Sequence, residues 1–425
     1  MGVDPLQYLD SLKGRGIQPG LGPVRRLLER LGSPQGCYKC ILVGGTNGKG
    51  SIAATLAAIL QAAGYRVGLY TSPHLVDFRE RIRVDGAMIP EEILCRRIGQ
   101  VRRANREGVT YFEFATALAF LHFARCRVDV AVIEVGMGGR LDATNVIRPE
   151  LSVISNIALD HAEFLGPRLE DIALEKAGII RRGGVCITAA TQAPVLNVLE
   201  AVCRQRKARL LRVGREIRIR AKRGDLFDFR SPGMEGKNLA SALKGPHQRE
   251  NTACALGALG VLRGRGFEVG DAAVRKGLAA VRWEGRLEIV AEGPTVILDG
   301  AHNAAGAAAL KRALGGFKYR RLILVLGILA DKDWRGMIRR LAPLAHRVIL
   351  TRPPEERALA PEALAAEAMR WSGSVDAVNE PREAIRRALE MAGRDDLVCV
   401  AGSLYLVGAV RHLFSSSKGS GFGGK

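Results

Sequence analysis

The residues Gly44–Ser51 read Gly-Gly-Thr-Asn-Gly-Lys-Gly-Ser and lie between an apolar run and an alanine-rich run. Successive glycines let backbone N–H groups turn inward around phosphate oxygens, and a following helix adds the positive end of its dipole. In such a loop Lys49 supplies a charge for the β- and γ-phosphates, and Ser51 can reach a magnesium ion. The candidate nucleotide-binding residues of this loop are Thr46, Asn47, Gly48, Lys49, Gly50 and Ser51.

The match to the strict Walker pattern is incomplete. Val43 occupies the first glycine position, and Gly50 separates Lys49 from the following serine. The segment predicts a nucleotide site because of its place between a strand and a helix, and the alternative is a glycine-rich structural turn with a solvated lysine. Such loops also serve switches, motors and transporters, so a nucleotide site alone does not indicate an enzyme.

A second polar segment, from Glu134 to Asn145, follows a run typical of a buried strand. A carboxylate at a strand end beside glycines is well placed to hold a hard cation near phosphate, which makes Glu134 a candidate metal ligand. Asp142 and Thr144 add polar groups to the same loop. Arg140 could neutralise an anionic substrate.

A third strand is predicted to lead into Asp160 and His161, and Lys176 follows at a helix end. Magnesium prefers oxygen ligands, so His161 reads from chemistry alone either as a metal ligand or as a hydrogen-bonded structural histidine. Lys176 reads as a charge partner, a phosphate contact or a surface lysine. The residue types leave these alternatives open.

Near the start of the predicted second domain, Asp299 ends a predicted strand, and His302 and Asn303 begin the helix behind it. Doubly wound sheets bind ligands at such strand ends, so this segment is a candidate ligand site. The alternative is that Asp299 only caps the helix.

These residues need elements that position them, and the apolar patterns supply strands alternating with helices. That alternation predicts an α/β fold: a P-loop N-terminal domain with a central parallel sheet, and a smaller Rossmann-like, doubly wound C-terminal domain. Charges alternate in 211–243, which predicts a small antiparallel excursion within the first domain. The predicted boundaries are 1–285 for the ATP-binding domain, 286–293 for a linker, 294–414 for the C-terminal domain and 415–425 for a disordered Gly/Ser-rich tail.

The composition is that of an ordinary globular protein, with 47% apolar and 25% charged residues. No apolar run reaches the length of a membrane span and no signal peptide is visible, so a cytoplasmic protein is expected. The net charge of +21 is dispersed, and no RNA-stacking motif accompanies it, which favours a generally basic surface over a nucleic-acid site. Cys37 and Cys40 have the spacing of half a zinc or redox site, yet ordinary reduced thiols are the preferred interpretation.

Taken together, ten segments resemble folylpolyglutamate synthase and dihydrofolate synthase, members of the Mur-ligase superfamily. They occur in the family's order and cover nearly the whole chain. The matched strings are GGTNGKGS (44–51), TSPHLVDFRERI (71–82), FEFATALAF (112–120), EVGMGGRLDATN (134–145), LDHAEFLG (159–166), EKAGI (175–179), GPHQRENTACA (245–255), LDGAHN (298–303), GILADKD (327–333) and GSLYLVG (402–408).

The resemblance implies a magnesium site. Ser51 matches the family's ATP phosphate and magnesium site, and Ser72 matches a residue of its magnesium and substrate region. Glu134 and His161 match magnesium-binding positions. Lys176 matches a lysine that is carbamylated in this superfamily, which would turn it into an anionic metal ligand.

The resemblance also implies ATP contacts outside the loop, at Asn251, Arg286, Asp299 and His302. The residues to which it assigns the catalytic roles are Lys49, His161 and Lys176. The reaction it implies is an ATP- and magnesium-dependent ligation, in which a substrate carboxylate becomes an acyl phosphate and the amine of L-glutamate displaces the phosphate. The expected acceptors are dihydropteroate, reduced folates or both, and the enzyme is expected to be a monomer acting on small molecules without nucleic acid or membrane.

Two other functions remain as alternatives. A Mur-type ligase acting on a muropeptide shares the phosphate loop, but it normally carries a separate N-terminal domain, and only about forty residues precede the first strand here. A non-ligating P-loop ATPase or switch that binds an anionic partner such as RNA has only the +21 charge in its favour. Both doubly wound halves are expected to be needed for ligation.

Overall fold

The computed structural model describes residues 4–16, 18 and 20–414, and the predicted tail 415–425 lies outside them. The chain forms two compact units. The first contains the residues up to 242 together with 249–282, and the second contains 243–248 together with the residues from 283 onward. The domain boundaries predicted at 285 and 294 stay a prediction, because a division into compact units does not test them.

The strands carry the apolar runs of the sequence. Their bounds are β1 Lys39–Gly44, β2 Val67–Tyr70, β3 Ile82–Val84, β4 Ala87–Met88, β5 Val130–Glu134, β6 Leu151–Ile154, β7 Val185–Thr188, β8 Arg209–Arg212, β9 Arg218–Ala221, β10 Leu226–Ser231, β11 Met234–Ala240, β12 Glu288–Ala291, β13 Thr295–Leu298, β14 Leu322–Leu326, β15 Arg347–Leu350, β16 Val375–Ala377 and β17 Leu397–Ala401.

The helices connect these strands. Their bounds are α1 Pro5–Ser11, α2 Gly22–Arg30, α3 Lys49–Ala62, α4 Glu91–Ala104, α5 Tyr111–Arg125, α6 Ala162–Leu165, α7 Leu169–Ala177, α8 Ala193–Gln205, α9 Pro246–Arg263, α10 Asp271–Ala280, α11 Ala304–Leu314, α12 Trp334–Leu341, α13 Pro361–Met369, α14 Pro381–Met391 and α15 Leu404–Arg411. Short 3₁₀ turns lie at Lys13–Arg15, Pro34–Gly36, Phe78–Arg81, Ala143–Val146, Ala342–Leu344 and His412–Phe414.

The first unit is built on a sheet of strand order β4-β3-β2-β5-β1-β6-β7-β8. From β2 to β8 the strands are parallel, whereas β3 and β4 form an antiparallel edge. The central strands β1, β5 and β6 are buried along nearly their whole length, as expected for a sheet covered on both faces. Because parallel strands end at one edge, the segments after β1, β2, β5 and β6 meet there, and these segments carry the candidate site.

The predicted antiparallel excursion is a three-stranded sheet of order β11-β10-β9. Both of its pairings are antiparallel, and their register shifts between Phe227 and Phe229. Phe227, Phe229, Met234 and Leu239 are buried. In β10 the buried phenylalanines alternate with exposed or partly exposed residues, a period of two that is typical of an antiparallel sheet with one solvated face.

The second unit has its own sheet, of order β12-β13-β17-β14-β15-β16. The strands from β13 to β16 are parallel, and β12 pairs antiparallel with β13 at one edge. Leu324, Leu326, Val348 and Cys399 lie in a separate buried cluster between this sheet and its helices. The predicted α/β fold with two parallel sheets is therefore confirmed. No helix in the described ranges is long and apolar enough to cross a membrane.

Candidate nucleotide and metal site

The loop between β1 and α3 forms a tight cradle. Gly45 and Gly48 have positive φ angles of 125° and 87°, which favour glycine. A Cβ atom at Gly45 would lie 1.9 Å from the Ser155 Oγ, so the loop leaves no room for a side chain there. No side chain caps the start of α3, whose first N–H groups have no partner within the helix. This arrangement suits an anion at the helix N-terminus.

The residues after β6 brace this loop. Asn156 accepts a hydrogen bond from the Thr46 N–H through its backbone oxygen at 2.8 Å, and from the Asn47 N–H through its side-chain oxygen at 3.0 Å. The Ser155 hydroxyl donates to the Asn47 carbonyl at 2.6 Å. The shape of the cradle therefore depends on a strand more than one hundred residues further along the chain.

Ser51 is 1% exposed, and its Oγ has no hydrogen-bond partner in the described structure. Buried hydroxyl groups are normally hydrogen-bonded, because removing them from water without compensation costs free energy. The unpartnered oxygen belongs to the third residue of α3, beside the phosphate cradle. Its environment fits a hard cation that would restore the missing interaction.

Glu134 is the last residue of β5 and is 5% exposed. The β1–β5 register places it opposite Val43, next to the start of the phosphate loop. Its Oε2 accepts a hydrogen bond from the Ser72 N–H at 3.1 Å, which joins the segment after β2 to the same edge. No cluster of three His, Cys, Asp or Glu side chains within the described part of the chain could hold a metal. A cation here would therefore rely on Ser51, Glu134 and oxygens of other kinds, as magnesium commonly does.

Lys176, near the end of α7, is 5% exposed, and its Nζ donates to the Gly45 carbonyl at 2.8 Å. Lys49 turns back on the loop and donates from Nζ to the Thr46 carbonyl at 3.1 Å. Burial, followed by the positive charge of Lys49, lowers the pKa of Lys176 to about 7. Lys176 is thus neither a surface lysine nor a fully charged one at neutral pH.

The segments around Lys176 and Glu134 are locked together. Arg140 donates from its backbone N–H to the Glu175 carbonyl at 2.8 Å and from Nη2 to the Glu175 carboxylate at 2.8 Å. Asn145 donates from Nδ2 to the Arg140 carbonyl at 3.0 Å. Arg140 therefore has a protein carboxylate as its partner. It helps to hold the end of α7 against the loop that follows β5.

In the second unit, Arg286, Asp299 and His302 lie close together. Asp299 is 6% exposed and accepts hydrogen bonds from the Leu287 and Ala301 N–H groups, both at 2.9 Å. The Arg286 Nη1 lies only 2.0 Å from where a Cβ of Gly300 would stand, so the guanidinium packs directly on that glycine. The His302 Nδ1 is 2.8 Å from the Gly300 carbonyl.

A cleft of about 340 Å³ opens in the first unit beside the segment that carries Ser72. Aromatic rings line it, and a buried guanidinium lies behind them. Arg81 donates from Nε to the His74 Nδ1 at 2.8 Å and lies 5.8 and 5.5 Å from the ring centroids of Phe78 and Tyr111. Burial lowers the pKa of His74 to about 4. His74 is therefore neutral at physiological pH and can accept the Arg81 hydrogen bond.

Known proteins share both halves of this architecture. The Mur ligase middle domain matches residues 43–259, and the Mur ligase glutamate ligase domain matches residues 285–404. A dihydrofolate synthase/folylpolyglutamate synthase from Bacillus subtilis is 36% identical over 414 residues, covering 93% of this chain and 95% of its own. The chain belongs to the folylpolyglutamate synthase and dihydrofolate synthase family of Mur ligases.

Solved structures of the family have a similar fold. Folylpolyglutamate synthase from Mycobacterium tuberculosis, complexed with ADP, has a TM-score of 0.90 at 36% identity, covering 97% of this chain and 99% of its own. Bifunctional folylpolyglutamate synthase/dihydrofolate synthase from Yersinia pestis, complexed with AMPPNP and Mn ion, has a TM-score of 0.88 at 32% identity, with coverages of 96% and 97%. The predicted family and its ligase class are confirmed.

Within this family framework, the structure brings several of the candidate residues together. The loop Thr46–Ser51, Lys176 and Asn251 meet at the start of α3, where the Asn251 Oδ1 is 2.3 Å from where a Cβ of Gly48 would stand. Ser72 and Glu134 meet through their hydrogen bond. The metal and nucleotide roles of these residues stay predictions.

His161 occupies a different setting. It has a positive φ of 53°, directly precedes the short helix α6, and exposes 38% of its side chain. Its Nε2 is 3.9 Å from the neighbouring Asp160 carboxylate. Its role as a magnesium ligand stays a prediction.

Three residues near the candidate sites were not predicted from the sequence. Ser155 and Asn156 brace the phosphate loop, although only the later Asp160–His161 pair had stood out in that segment. His247 lies in the second unit, where burial lowers its pKa. A polar Ser-Asn pair ending an apolar strand was the one available signal for the first two.

The structure decides between the two interpretations of Asp299. Asp299 is not the cap of α11, because Asn303 is the residue whose side chain accepts the Gly306 N–H. Cys37 and Cys40 are free thiols in different settings: Cys37 is exposed, whereas Cys40 is buried, and burial raises the pKa of Cys40 to about 12.

Proposed function

We propose that this chain is an ATP- and magnesium-dependent ligase that joins L-glutamate both to dihydropteroate and to reduced folates. The observation that carries this proposal is the unpartnered, buried Ser51 hydroxyl beside a tight phosphate cradle, in a chain of this ligase family. ATP phosphorylates the acceptor carboxylate, giving an acyl phosphate and ADP. The glutamate amine then attacks the acyl carbon, and the tetrahedral intermediate expels phosphate.

The chemical difficulty is that a carboxylate and a triphosphate repel each other. The open N–H groups at the start of α3 and the Lys49 ammonium offset that negative charge. Ser51 and Glu134 are the residues that would hold magnesium, and the ion supplies further positive charge at the phosphates. The brace from Ser155 and Asn156 fixes the backbone of the loop before the substrate arrives, so little reorganisation is needed during reaction.

Lys176 takes part as an anion in this proposal. A pKa of about 7 leaves a substantial neutral fraction of the amine at neutral pH, and the neutral amine is the form that adds carbon dioxide. The resulting carbamate carries a negative charge beside Gly45, close to the proposed cation. His161 is proposed as a further contact from its exposed loop.

The aromatic cleft beside Ser72 is the proposed acceptor site. A flat heterocycle suits the rings of Phe78 and Tyr111, since offset stacking and edge contacts are the favoured aromatic geometries. The segment from His74 back to Ser72 leads from this cleft to the Glu134 hydrogen bond. An acceptor bound there can direct its carboxylate toward the phosphate loop.

The relatives' names include both the first glutamate addition and the later ones, which supports a bifunctional enzyme. The proposed ATP contacts of Arg286, Asp299 and His302 belong to the same function, and the second unit should be required for ligation. The chain is proposed to act as a cytoplasmic monomer on small molecules.

The test is phosphate release by the purified protein with ATP, magnesium and glutamate, with dihydropteroate and a reduced folate supplied in separate reactions. Release that requires glutamate is expected with each acceptor. Release with only one acceptor would restrict the enzyme to that activity. No release with either would refute the folate assignment, and a muropeptide acceptor then tests the Mur-type alternative. Glutamate-independent ATP hydrolysis stimulated by RNA would instead favour a P-loop switch.

A further inference from the structure

A second cleft of the first unit, of about 550 Å³, has arginines as half of its lining residues and is separate from the residues of the proposed reaction. We call it the arginine cleft. Its lining residues come from the end of α2 and the residue after it, from α4, from the loop that follows α4, and from α5. They are Arg30, Leu31, Gln100, Arg103, Ala104, Arg106, Leu121 and Arg125.

The positive charges of the arginine cleft are mostly uncompensated. Glu107 is the nearby carboxylate, and both Arg26 and Arg30 already pair with it. Arg103, Arg106 and Arg125 form no ion pair with any residue that the structure describes. Clustering like charges without a counter-charge is unfavourable, so this concentration of guanidinium groups points to an anionic ligand.

Arg97 adds to this positive potential from behind the lining. Its Nη1 donates to the Gln100 Oε1 at 2.8 Å, which fixes the amide of that lining residue. Its Nε is buried without a partner. Burial, and then the nearby positive charge of Arg125, lower the pKa of the Arg97 guanidinium.

The remaining lining indicates what kind of anion fits. Leu31, Ala104 and Leu121 give an apolar floor, and Gln100 offers an amide group. A single phosphate needs neither feature. A γ-linked glutamate chain presents carboxylates at intervals, amide links between them and two methylene groups in each spacer. Guanidinium groups pair with the carboxylates, the glutamine with an amide, and the leucines with the methylenes.

We propose that the arginine cleft is an exosite that binds the oligo-γ-glutamate chain of polyglutamylated folates. This rests on the proposed function, since the enzyme itself would make that chain. The arginine cleft and the aromatic cleft are both lined by residues of α4. Glu91 and Leu94 line the aromatic cleft, and Gln100 and Arg103 line the arginine cleft. Leu94 and Arg103 are about 14 Å apart along the helix axis at the usual rise of α-helices. A chain of a few linked glutamates spans that distance.

The experiment is calorimetric titration of the full chain, saturated with ADP and magnesium, with free tetra-γ-glutamate and separately with inorganic triphosphate. The variants are Arg103→Ser and Arg125→Ser. The matched control is Arg96→Ser, which removes the same charge from α4 at a residue that pairs with Glu92 outside the cleft. Each cleft substitution should weaken tetra-γ-glutamate binding about tenfold, the effect of losing one charge-assisted hydrogen bond. The control should leave it unchanged.

Three results would overturn the exosite: no binding of tetra-γ-glutamate, equal weakening by all three substitutions, or tighter binding of triphosphate that the cleft substitutions abolish. The first glutamate addition, assayed with dihydropteroate on the same preparations, separates this proposal from the ligase itself. That acceptor has no glutamate chain, so the cleft variants should keep its turnover. If the unsubstituted protein does not catalyse that reaction, the proposed function is refuted, but the binding of tetra-γ-glutamate still tests the exosite.

Discussion

At the scale of single residues, the chemistry depends on groups whose surroundings are unusual for their type. Ser51 is a buried hydroxyl without a partner, and Lys176 is a buried amine with a lowered pKa. Each state costs stability in the free protein. Such costs are typical of groups arranged for a ligand or a reaction, because the compensating interaction comes from outside the chain.

Replacing Ser51 by alanine tests the first of these groups. The substitution removes a hydroxyl that has no protein partner, so the free energy of unfolding should stay within about 1 kcal/mol of the original. The value of kcat/KM should fall about 10²-fold, the usual effect of removing one preorganised polar group from a site. Urea unfolding and phosphate release measure the two quantities.

Ser51→Thr is the matched variant, because it keeps the hydroxyl. It should retain much more activity than the alanine variant. Equal activity of Ser51→Ala and the original protein would contradict a role for this oxygen in holding magnesium.

Variants of Lys49 and Lys176 together test whether the first side chain acts as a cation and the second as an anion. Both Lys49→Ala and Lys176→Ala should abolish ligation. Acetate should partly restore the Lys176 variant, because a carboxylate can replace the proposed carbamate, and it should not restore the Lys49 variant, which has lost a cation. The measurement is phosphate release across an acetate titration. Rescue of both variants, or of neither, would contradict an anionic Lys176.

At the scale of elements, the phosphate cradle depends on backbone conformation and on support from other strands. β1 ends where the loop begins, and the residues after β6 hold its N–H groups and carbonyls. α3 then starts without a side-chain cap, which leaves its N–H groups for phosphate. The apolar strand and the alanine-rich helix predict this strand–loop–helix segment from the sequence. They do not predict the hydrogen bonds from Ser155 and Asn156 that support it.

Gly48 and Gly64 separate two effects of adding a side chain. Both have positive φ, 87° and 92°, so an alanine at either position should cost about 1–2 kcal/mol of stability. At Gly64 no atom lies within 4 Å of the added Cβ, whereas at Gly48 the Asn251 Oδ1 lies at 2.3 Å. Gly48→Ala must therefore push the Asn251 amide away.

We expect Gly48→Ala to weaken ADP binding at least about tenfold, since it displaces a proposed nucleotide contact as well as straining the cradle. Gly64→Ala should leave ADP affinity unchanged. Titration calorimetry with ADP and urea unfolding of both variants check this. Unchanged ADP affinity in Gly48→Ala would argue against a nucleotide site at this loop.

At the scale of the whole molecule, the chain contains two units with separate cores. All 3 tryptophans, Trp283, Trp334 and Trp371, belong to the second unit, so their fluorescence reports its unfolding alone. Asp396 is an internal anchor of that unit. Its buried carboxylate pairs with Arg321 at 2.5 Å and Arg320 at 3.3 Å, and it accepts the Gly393 N–H at 2.8 Å.

These partners, first Arg321, hold the pKa of Asp396 well below its usual range. A depressed carboxyl pKa contributes stability that is present above the unfolded-state value, near about 4, and is lost as the pH falls through the folded-state value. The second unit should therefore lose stability as the pH drops below about 4. Asp396→Asn should remove this dependence and lower its melting temperature at neutral pH by about 5 °C.

The neighbouring exposed Asp395 gives the control. Asp395→Asn removes the same charge but no buried pair, so the tryptophan-detected transition should stay where it is. Thermal unfolding followed by tryptophan fluorescence between pH 2 and pH 7 tests both variants. A transition equally sensitive to acid in Asp396→Asn and in the original protein would contradict the role of this carboxylate.

The sequence by itself determined the features that local patterns encode. The apolar runs alternating with helices predicted both parallel sheets, and the charged stretch 211–243 predicted the antiparallel strands. Glycines around Lys49 predicted the phosphate loop, because backbone freedom at those positions is a property of the residue type. The ordered family strings predicted the ligase class.

Only the tertiary structure decided which residues meet. Lys176 reaches the Gly45 carbonyl across 131 positions of sequence, and Asn156 braces Asn47 across 109. The arginine cleft gathers charges from separate helices that look dispersed in the chain. The spacing of residues along the chain does not predict such long-range contacts. They depend on the order of the strands in the sheet and on which side chains are buried away from water.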